Sequence, residues 1–216
     1  MSDVLAGACV GLSQTLTGHP LDTIKVLIQN GHRWRGLSPR DYYRGWRFPL
    51  ISSTLFNCTV FPMYERSKQY TDSSVGAGMA AGVAVTPVVY AFDVGKILQQ
   101  TKQPINMGAF SRSKGFTATG VREVAAMGSY FGSYDYLRGQ GLPPLAAGGA
   151  AGLINWTLTY PIDVIRSRQI AQGISMRDAI GLGHLWKGYT ACAVRAVLVN
   201  GVSFWVYEKV KSSLDD

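Results

Sequence analysis

Charged residues are distributed very unevenly along this chain. Six segments are almost free of them: residues 4–18, 50–63, 75–92, 117–132, 145–160 and 189–206. Their only charged residues are Arg122, Glu123 and Arg195. With their polar ends these segments reach about 25 residues, and a helix of about 20 residues crosses the apolar core of a bilayer. The pattern predicts an all-α membrane protein with six transmembrane helices. A soluble α-solenoid would instead need capping repeats and amphipathic surface faces.

The chain is also an internal repeat. Three segments rich in Gly and Ala begin at Ala6, Ala77 and Ala147, and each has an acid 15 residues after its first glycine and a base three residues after the acid. These pairs are Asp22 and Lys25, Asp93 and Lys96, and Asp163 and Arg166. Residues three apart are neighbours on one helical face. The repeat predicts a single domain, residues 1–216, built from units 1–72, 73–142 and 143–216.

Each unit has a second charged motif in its later half. A triplet with a central base ends at Gly45, Gly115 or Gly188. A Tyr-acid pair begins 19 residues after that glycine, and a base follows three residues after the acid. The motifs are Tyr64, Glu65 and Lys68; Tyr134, Asp135 and Arg138; and Tyr207, Glu208 and Lys211. A spacing that recurs in all three units indicates a shared structural role.

The net charge of +8 belongs mainly to one set of loops. Loops 30–45, 101–115 and 171–188 contain the bases, whereas the opposite connections 69–75 and 139–144 contain none. By the positive-inside tendency, the basic loops face the side of negative potential. We therefore assign the positive charge to a membrane face with anionic lipid. No basic element with base-reading side chains occurs, which excludes a nucleic-acid partner.

Several other classes are excluded by what the sequence lacks. Cys9, Cys58 and Cys192 lie in apolar segments without paired spacing, so we expect neither disulfides nor metal ligands. The three His residues are not spaced as a ligand set, and no nucleophile–base arrangement occurs. We expect no enzyme activity, no cofactor and no metal. The first residues lack the basic start and cleavage site of a secretory signal, so none is expected.

Residues 18–25 and 160–168 resemble the proline-x-acid-x-x-base signature of the mitochondrial carrier family. The tripartite layout extends this resemblance over the whole chain. It implies six transmembrane helices around a threefold axis, with short surface helices on the matrix side. Proline kinks a helix, and three kinked helices converge at their tips. The second copy departs from the signature, since Ala91 occupies the proline slot and Pro87 lies one turn earlier.

Acids and bases at the converging tips can pair between neighbouring copies. The expected pairs are Asp22 with Lys96, Asp93 with Arg166, and Asp163 with Lys25. We call these six residues the first ring. The resemblance implies that this ring is a matrix gate and that Gln29 and Gln100 brace its ion pairs. In the third copy Ile170 occupies the brace position, so no brace is expected there.

The later motifs form a second ring on the other side. Its expected pairs are Glu65 with Arg138, Asp135 with Lys211, and Glu208 with Lys68, with Tyr64, Tyr134 and Tyr207 beside them. The resemblance implies that this ring is a cytoplasmic gate and that the two gates open alternately. Alternatively, all these charges are only solvated helix ends flanking the bilayer.

In the predicted six-helix arrangement, each triplet glycine begins the second helix of its unit. The free N–H groups at such a helix start can bind a phosphate. The resemblance implies that cardiolipin binds near Gly45, Gly115 and Gly188. In the second triplet Ser113 replaces the expected aromatic residue. The alternative is that these glycines only form turns.

Substrate choice should depend on positions where the three copies differ. The family's substrate contact points correspond to Ser52, Arg122 and Arg195, each seven residues after a triplet glycine, and to the following Ser53 and Glu123. An adjacent Arg and acid at this position resembles carriers of amino acids and of carnitine. Residues 18–23 and 43–49 look most like the carnitine/acylcarnitine and basic amino acid branch. Arg195 with Arg122 would bind the carboxylate of the solute. Glu123 would bind a cationic amine, and Trp156 would offer a cation–π surface to it.

Each of these roles has a structural alternative. Arg122 and Glu123 could neutralise one another, Arg195 could be structural, and Trp156 could be a packing aromatic. His19 could bind a solute carboxylate or satisfy the kinked backbone. Asn57 and Asn200 could line the path or bridge helices. Because Ser52 adds no acid, the sequence favours a carnitine-like zwitterion or a neutral amino acid over ornithine or lysine.

Together these features predict a monomeric carrier that exchanges a small zwitterionic carboxylate, carnitine, acylcarnitine or amino acid, across the mitochondrial inner membrane by alternating access. A carrier of keto acids or other small anions is one alternative. A non-transporting membrane scaffold derived from a carrier is another. Placement in a peroxisomal or other organellar membrane is also open.

Overall fold

The computed structural model describes residues 2–104, 108, 114–196, 198, 199 and 202. Five long helices account for most of these residues: α1 (Ser2–Gln29), α3 (Arg47–Lys68), α4 (Ser74–Gln100), α5 (Phe116–Gly139) and α6 (Pro144–Gln172). Two short helices, α2 (Pro39–Tyr42) and α7 (Met176–Gly181), lie in loops. A further helical segment begins at residue 189 and is described to residue 196. The described ranges contain no strand, in agreement with the all-α prediction.

The apolar character of these helices is unequal. Within the described residues, one helix, Ser74–Gln100, meets the length and composition expected of a membrane span, with a mean hydropathy of 1.7. Helix Ser74–Gln100 also carries the acid and base of its repeat, Asp93 and Lys96. The prediction of six spans therefore stays a prediction.

The C-terminal ends of α1, α4 and α6 converge, as the repeat predicts. They share one hydrophobic cluster, which contains Val26 from α1, Leu98 from α4 and Ile170 from α6. Pro20, Pro87 and Pro161 each lie inside one of these three helices. The convergence brings the charged motifs of the three copies to one end of the helices.

Short helices interrupt two of the basic loops. The second of them, α7, begins with a capping box in which Ser175 and Asp178 bond to each other's backbone N–H groups. The hydrogen bonds from Ser175 hold the pKa of Asp178 below its ordinary value. In the first loop, hydrogen bonds from Lys102 and Ser38 likewise lower the pKa of Asp41. These hydrogen bonds thus stabilise the ionised form of both carboxylates.

Helices α4 and α5 pack backbone to backbone through two glycines of the second repeat. A Cβ atom at Gly78 would lie 2.5 Å from the Met127 carbonyl oxygen, and one at Gly82 would lie 2.6 Å from the Glu123 carbonyl oxygen. Small residues at four-residue spacing allow such close approach of helices in lipid. This contact therefore determines where α5 holds Glu123.

Gly82→Ala is expected to push α5 away from α4 and to lower the unfolding free energy by about 1–3 kcal/mol, the usual cost of overpacking. The matched control is Gly152→Ala at the same position of the third repeat, where a Cβ would meet no atom of the described residues within 4 Å. Thermal unfolding of both variants in detergent provides the comparison. Equal melting temperatures for the two variants would contradict the close α4–α5 contact.

Candidate functional site

The first ring is present in the structure with each predicted pair formed. In each pair an acid of one copy contacts a base of another. The pairs are Asp22 Oδ2 with Lys96 Nζ at 3.0 Å, Asp93 Oδ2 with Arg166 Nη1 at 2.6 Å, and Asp163 Oδ2 with Lys25 Nζ at 2.6 Å. The three converging helices are thus joined by three ion pairs at one level.

The three pairs have unequal surroundings. Asp163 is buried and also accepts hydrogen bonds from Arg166 Nη2 at 2.9 Å and from the Gln29 amide at 3.1 Å. Gln29 therefore braces its pair as predicted. The predicted brace at Gln100 is wrong for this structure, because its amide donates to the Thr23 hydroxyl at 3.0 Å. In the third copy Ile170 packs in the hydrophobic cluster instead of bracing a pair.

A cavity of about 350 Å³ ends on the first ring. Six of the residues predicted to contact a solute line it together with ring residues: Ser52, Ser53, Arg122, Glu123, Trp156 and Arg195. Asn57 is exposed on α3 and His19 is buried, and neither lines this cavity. Asn200 lies outside the described residues. The contact positions of all three copies therefore line one shared cavity.

The charged contact residues are bonded to other protein charges. Arg195 Nε lies 2.7 Å from Asp22 Oδ1, so the first ring extends into the cavity wall. Arg122 Nη1 lies 2.5 Å from Glu123 Oε1, and Arg166 Nη1 lies 3.6 Å from the same oxygen. Glu123 is fully buried beneath these cations. The mutual neutralisation of Arg122 and Glu123, raised as an alternative from the sequence, therefore occurs in this structure.

Trp156 already interacts with two cations of the protein. Lys25 Nζ lies 4.6 Å from a ring centroid of Trp156, and the Arg122 guanidinium carbon lies 5.1 Å from it. Each contact is within cation–π range. Trp156 thus links the first ring to the Arg122–Glu123 pair.

Comparison with known proteins identifies the family of this chain. The family model for mitochondrial carrier proteins matches residues 139–216. The mitochondrial basic amino acids transporter of Bos taurus is 30% identical over 80% of this chain and 74% of its own length. The chain belongs to the mitochondrial carrier family. The mitochondrial arginine transporter BAC2 of Arabidopsis thaliana is 29% identical over 95% of this chain and 89% of its own length. Solute carrier family 25 member 45 of Mus musculus is 26% identical over 96% of this chain and 97% of its own length.

The second ring of this carrier is not closed in the part that the structure describes. Glu65 and Arg138 are exposed and form no ion pair with each other, so that predicted pair is absent. Arg138 instead donates to the Leu142 carbonyl at 2.6 Å. Lys68 donates to the Ser74 hydroxyl, which donates to Asp135. Tyr64 stacks on Phe131 and Tyr134 on Tyr130. Tyr207, Glu208 and Lys211 lie outside the described residues.

The triplet glycines have a structural role that the sequence did not reveal. Gly45, Gly115 and Gly188 all have positive φ, at 82°, 130° and 89°. A Cβ on each would lie 3.3 to 3.5 Å from the main-chain oxygen of a first-ring base, respectively Lys96, Arg166 and Lys25. Glycine is favoured there both by its backbone freedom and by the close contact. Ser113, in the second triplet, lies outside the described residues.

His19 belongs to a tether that the sequence analysis missed. Its Nε2 lies 2.8 Å from the Arg44 carbonyl oxygen, and the Tyr160 hydroxyl donates to the Lys187 carbonyl at 3.1 Å. His19 and Tyr160 both precede a signature proline, and both acceptors precede a triplet glycine. The signal was the His-Pro and Tyr-Pro correspondence between copies. His19 thus positions the loop after α2 and does not face the solute cavity.

His19→Phe is expected to remove this tether and to lower the unfolding free energy by about 1 kcal/mol, the typical net value of one hydrogen bond. His19→Tyr imitates the third copy and should retain most of the stability. Thermal unfolding of both variants in detergent measures the difference. If Phe and Tyr lower the melting temperature equally, the hydroxyl cannot serve as donor and the tether is not shared between copies.

Proposed function

We propose that this carrier transports an α-amino acid with a cationic side chain, such as arginine or lysine, across the mitochondrial inner membrane by alternating access. The observation that carries the proposal is Arg195. Its side chain is 29% exposed, more than the side chain of Arg122 or of any base of the first ring. A solute carboxylate entering the cavity can therefore reach Arg195 and form a charge-assisted hydrogen bond.

The cationic part of the solute has a different partner from the one expected. Glu123 is covered by Arg122, so it is not accessible to an amine without rearrangement. Asp93 lines the same cavity and is the most exposed acid of the first ring. It supplies the additional acid that Ser52 does not, which supports a basic amino acid. The names of the relatives, which include an arginine transporter and basic amino acids transporters, support the same class.

The same proposal covers the membrane orientation, the lipid contacts and the oligomeric state of the protein. We infer six membrane spans, with the basic loops on the matrix side, and a structure open toward the second ring. Anionic lipid, such as cardiolipin, would bind beside Gly45, Gly115 and Gly188, where helix starts offer free N–H groups. We infer that one copy of the chain suffices for transport, because all three sets of contact positions lie within it.

Uptake into liposomes tests the proposal directly. Vesicles containing the purified carrier and an unlabelled amino acid are supplied with labelled arginine, lysine, carnitine or 2-oxoglutarate. Arginine and lysine are expected to enter, and Arg195→Gln should reduce uptake about 10- to 150-fold, as for loss of a charge-assisted contact of about 1.5–3 kcal/mol. Arg47→Gln is the matched control, since this exposed arginine of α3 lies outside the cavity.

Two outcomes would overturn the proposal. Uptake of 2-oxoglutarate without arginine would place the protein among anion carriers. Failure of every solute to enter, with a correctly folded protein in the vesicles, would favour the scaffold alternative.

A further inference from the structure

Helix α3 contributes an uncharged part of the wall of the solute cavity. Its described lining residues are two serines and three apolar residues: Ser52, Ser53, Phe48, Pro49 and Phe56. Both serine hydroxyls donate to carbonyl oxygens of their own helix, Ser52 to Pro49 at 3.4 Å and Ser53 to Leu50 at 3.1 Å. This part of the wall therefore offers a solute mainly apolar contact.

Helix α4 continues the apolar surface as far as the first ring. Val89 and Phe92 line the cavity just before Asp93 in the sequence. The solute cavity thus combines two kinds of wall, one with paired charges and one with aromatic and aliphatic side chains. A solute that reaches both Asp93 and Arg195 has to place the atoms between its own charges within the same cavity.

Phe48 lies at a position where the other two copies have alanine. Three residues after the triplet glycine, the copies read Phe48, Ala118 and Ala191. Two residues after the acid of the signature, the copies read Ile24, Gly95 and Ile165. The aromatic residue in the first copy is thus accompanied by a glycine in the second. Elsewhere alanine and isoleucine occupy these two positions.

The two positions pack against each other in the structure. A Cβ atom at Gly95 would lie 2.6 Å from Cζ of Phe48, so the ring rests directly on the backbone of α4. At the equivalent junction of α5 with α6, Ala118 and Ile165 share a buried hydrophobic cluster. Phe48 lines the solute cavity, whereas Ala118 and Ile165 do not. The exchange of sizes between the two helices therefore places an aromatic ring in the cavity wall at one junction.

We propose that Phe48 determines specificity for the hydrocarbon stem of the solute, the methylene groups between its α-carbon and its cationic group. This inference rests on the proposed function. With the carboxylate at Arg195 and the cation at Asp93, the stem lies against Phe48 and the apolar surface beside it. Each buried methylene strengthens binding about 4-fold, the equivalent of about 0.8 kcal/mol. The carrier therefore prefers lysine and arginine to analogues with the same charges and a more polar stem.

A comparison of lysine with 4-oxalysine tests this preference. In 4-oxalysine an ether oxygen replaces the γ-methylene of lysine, so the two solutes have the same charges and nearly the same length. Their inhibition constants are measured against uptake of labelled arginine into vesicles. With the wild type, 4-oxalysine is expected to bind about 4-fold more weakly or worse, because it lacks one methylene and its oxygen loses water at an apolar wall.

The double variant Phe48→Ala/Gly95→Ile removes the ring and restores the packing. It copies the Ala118–Ile165 contact, so its melting temperature in detergent should stay close to that of the wild type. Its preference for lysine over 4-oxalysine should fall below about 2-fold, because the stem then has less apolar surface to contact. Phe48→Leu is the matched control, since it keeps an apolar side chain and should keep most of the preference. Phe48→Ala alone serves as a second ring-free variant if the double variant does not fold.

Two results would overturn the role of Phe48. One is equal inhibition of the wild type by lysine and 4-oxalysine. The other is a preference that stays at the wild-type value in the ring-free variants. Both can occur while labelled arginine enters wild-type vesicles, and the proposed function then stands. If neither labelled arginine nor labelled lysine enters wild-type vesicles, the proposed function fails, and the stem preference fails with it.

Discussion

Asp163→Asn is expected to abolish transport and to lower the free energy of unfolding by about 3–5 kcal/mol, the range for breaking a buried ion pair. The Asp163 carboxylate is buried and contacts Lys25 at 2.6 Å, Arg166 at 2.9 Å and the Gln29 amide at 3.1 Å. Asparagine has nearly the same size but no charge. Lys25 would then lose its carboxylate partner in a buried site, and Arg166 would lose one of its two close ones.

The matched control for this prediction is Asp93→Asn. Arg166 keeps Asp163 when Asp93 is neutralised, and the Asp93 site is more exposed. We expect a loss of about 1 kcal/mol or less, as for partly exposed ion pairs. Thermal unfolding in detergent, with uptake measured on the same preparations, provides the test. If Asp93→Asn lowers the stability as much as Asp163→Asn, these two ion pairs contribute equally. That result would contradict the greater stabilisation expected from the more buried pair.

The pairing of the first ring could be predicted because the repeat carries enough geometry. A motif that recurs in three copies at constant spacing places its acids and bases at one level of three similar helices. Asp22, Asp93 and Asp163 then each face a base of another copy, whatever the loops do. The apolar segments predicted the helices for the same reason, since long uncharged stretches leave few alternatives to a helix in a membrane.

The differences between copies could not be predicted from spacing. Gln29 and Gln100 occupy the same repeat position, yet one amide binds Asp163 and the other binds Thr23. Arg195 was predicted either to bind a solute carboxylate or to be structural, and spacing did not predict its contact with Asp22. Such choices depend on which neighbour a long side chain can reach. The repeat fixes the position of a Cα atom much better than the direction of a side chain.

The backbone conformation of the triplet glycines could not be predicted from the sequence either. The glycines of the triplets were interpreted as helix starts near a lipid phosphate. Their positive φ angles and their contacts with the carbonyls of Lys25, Lys96 and Arg166 become visible only in three dimensions. Glycine is compatible with both roles, so residue identity alone does not distinguish between a turn and a lipid site.

Arg122→Gln is expected to be the most damaging single change among the predicted solute contact positions. It would leave the fully buried Glu123 with Arg166, at 3.6 Å, as its nearest cation. Loss of one partner of a buried pair costs about 3–5 kcal/mol. Glu123→Gln should cost less, because Arg122 also contacts Trp156 and is partly exposed. Both single variants should lose transport, since each alters the wall of the solute cavity.

The double variant Arg122→Gln/Glu123→Gln distinguishes packing from transport. With both charges removed, no buried carboxylate is left unpaired, so most of the stability lost in Arg122→Gln should return. Transport should not return, because the cavity wall still lacks its charged pair. Melting temperatures of the four proteins in this double-mutant cycle give the coupling energy directly, and uptake of labelled arginine is measured alongside. If the stability losses of the single variants simply add, the two residues do not act as a pair, and Glu123 must obtain its neutralisation from Arg166 alone.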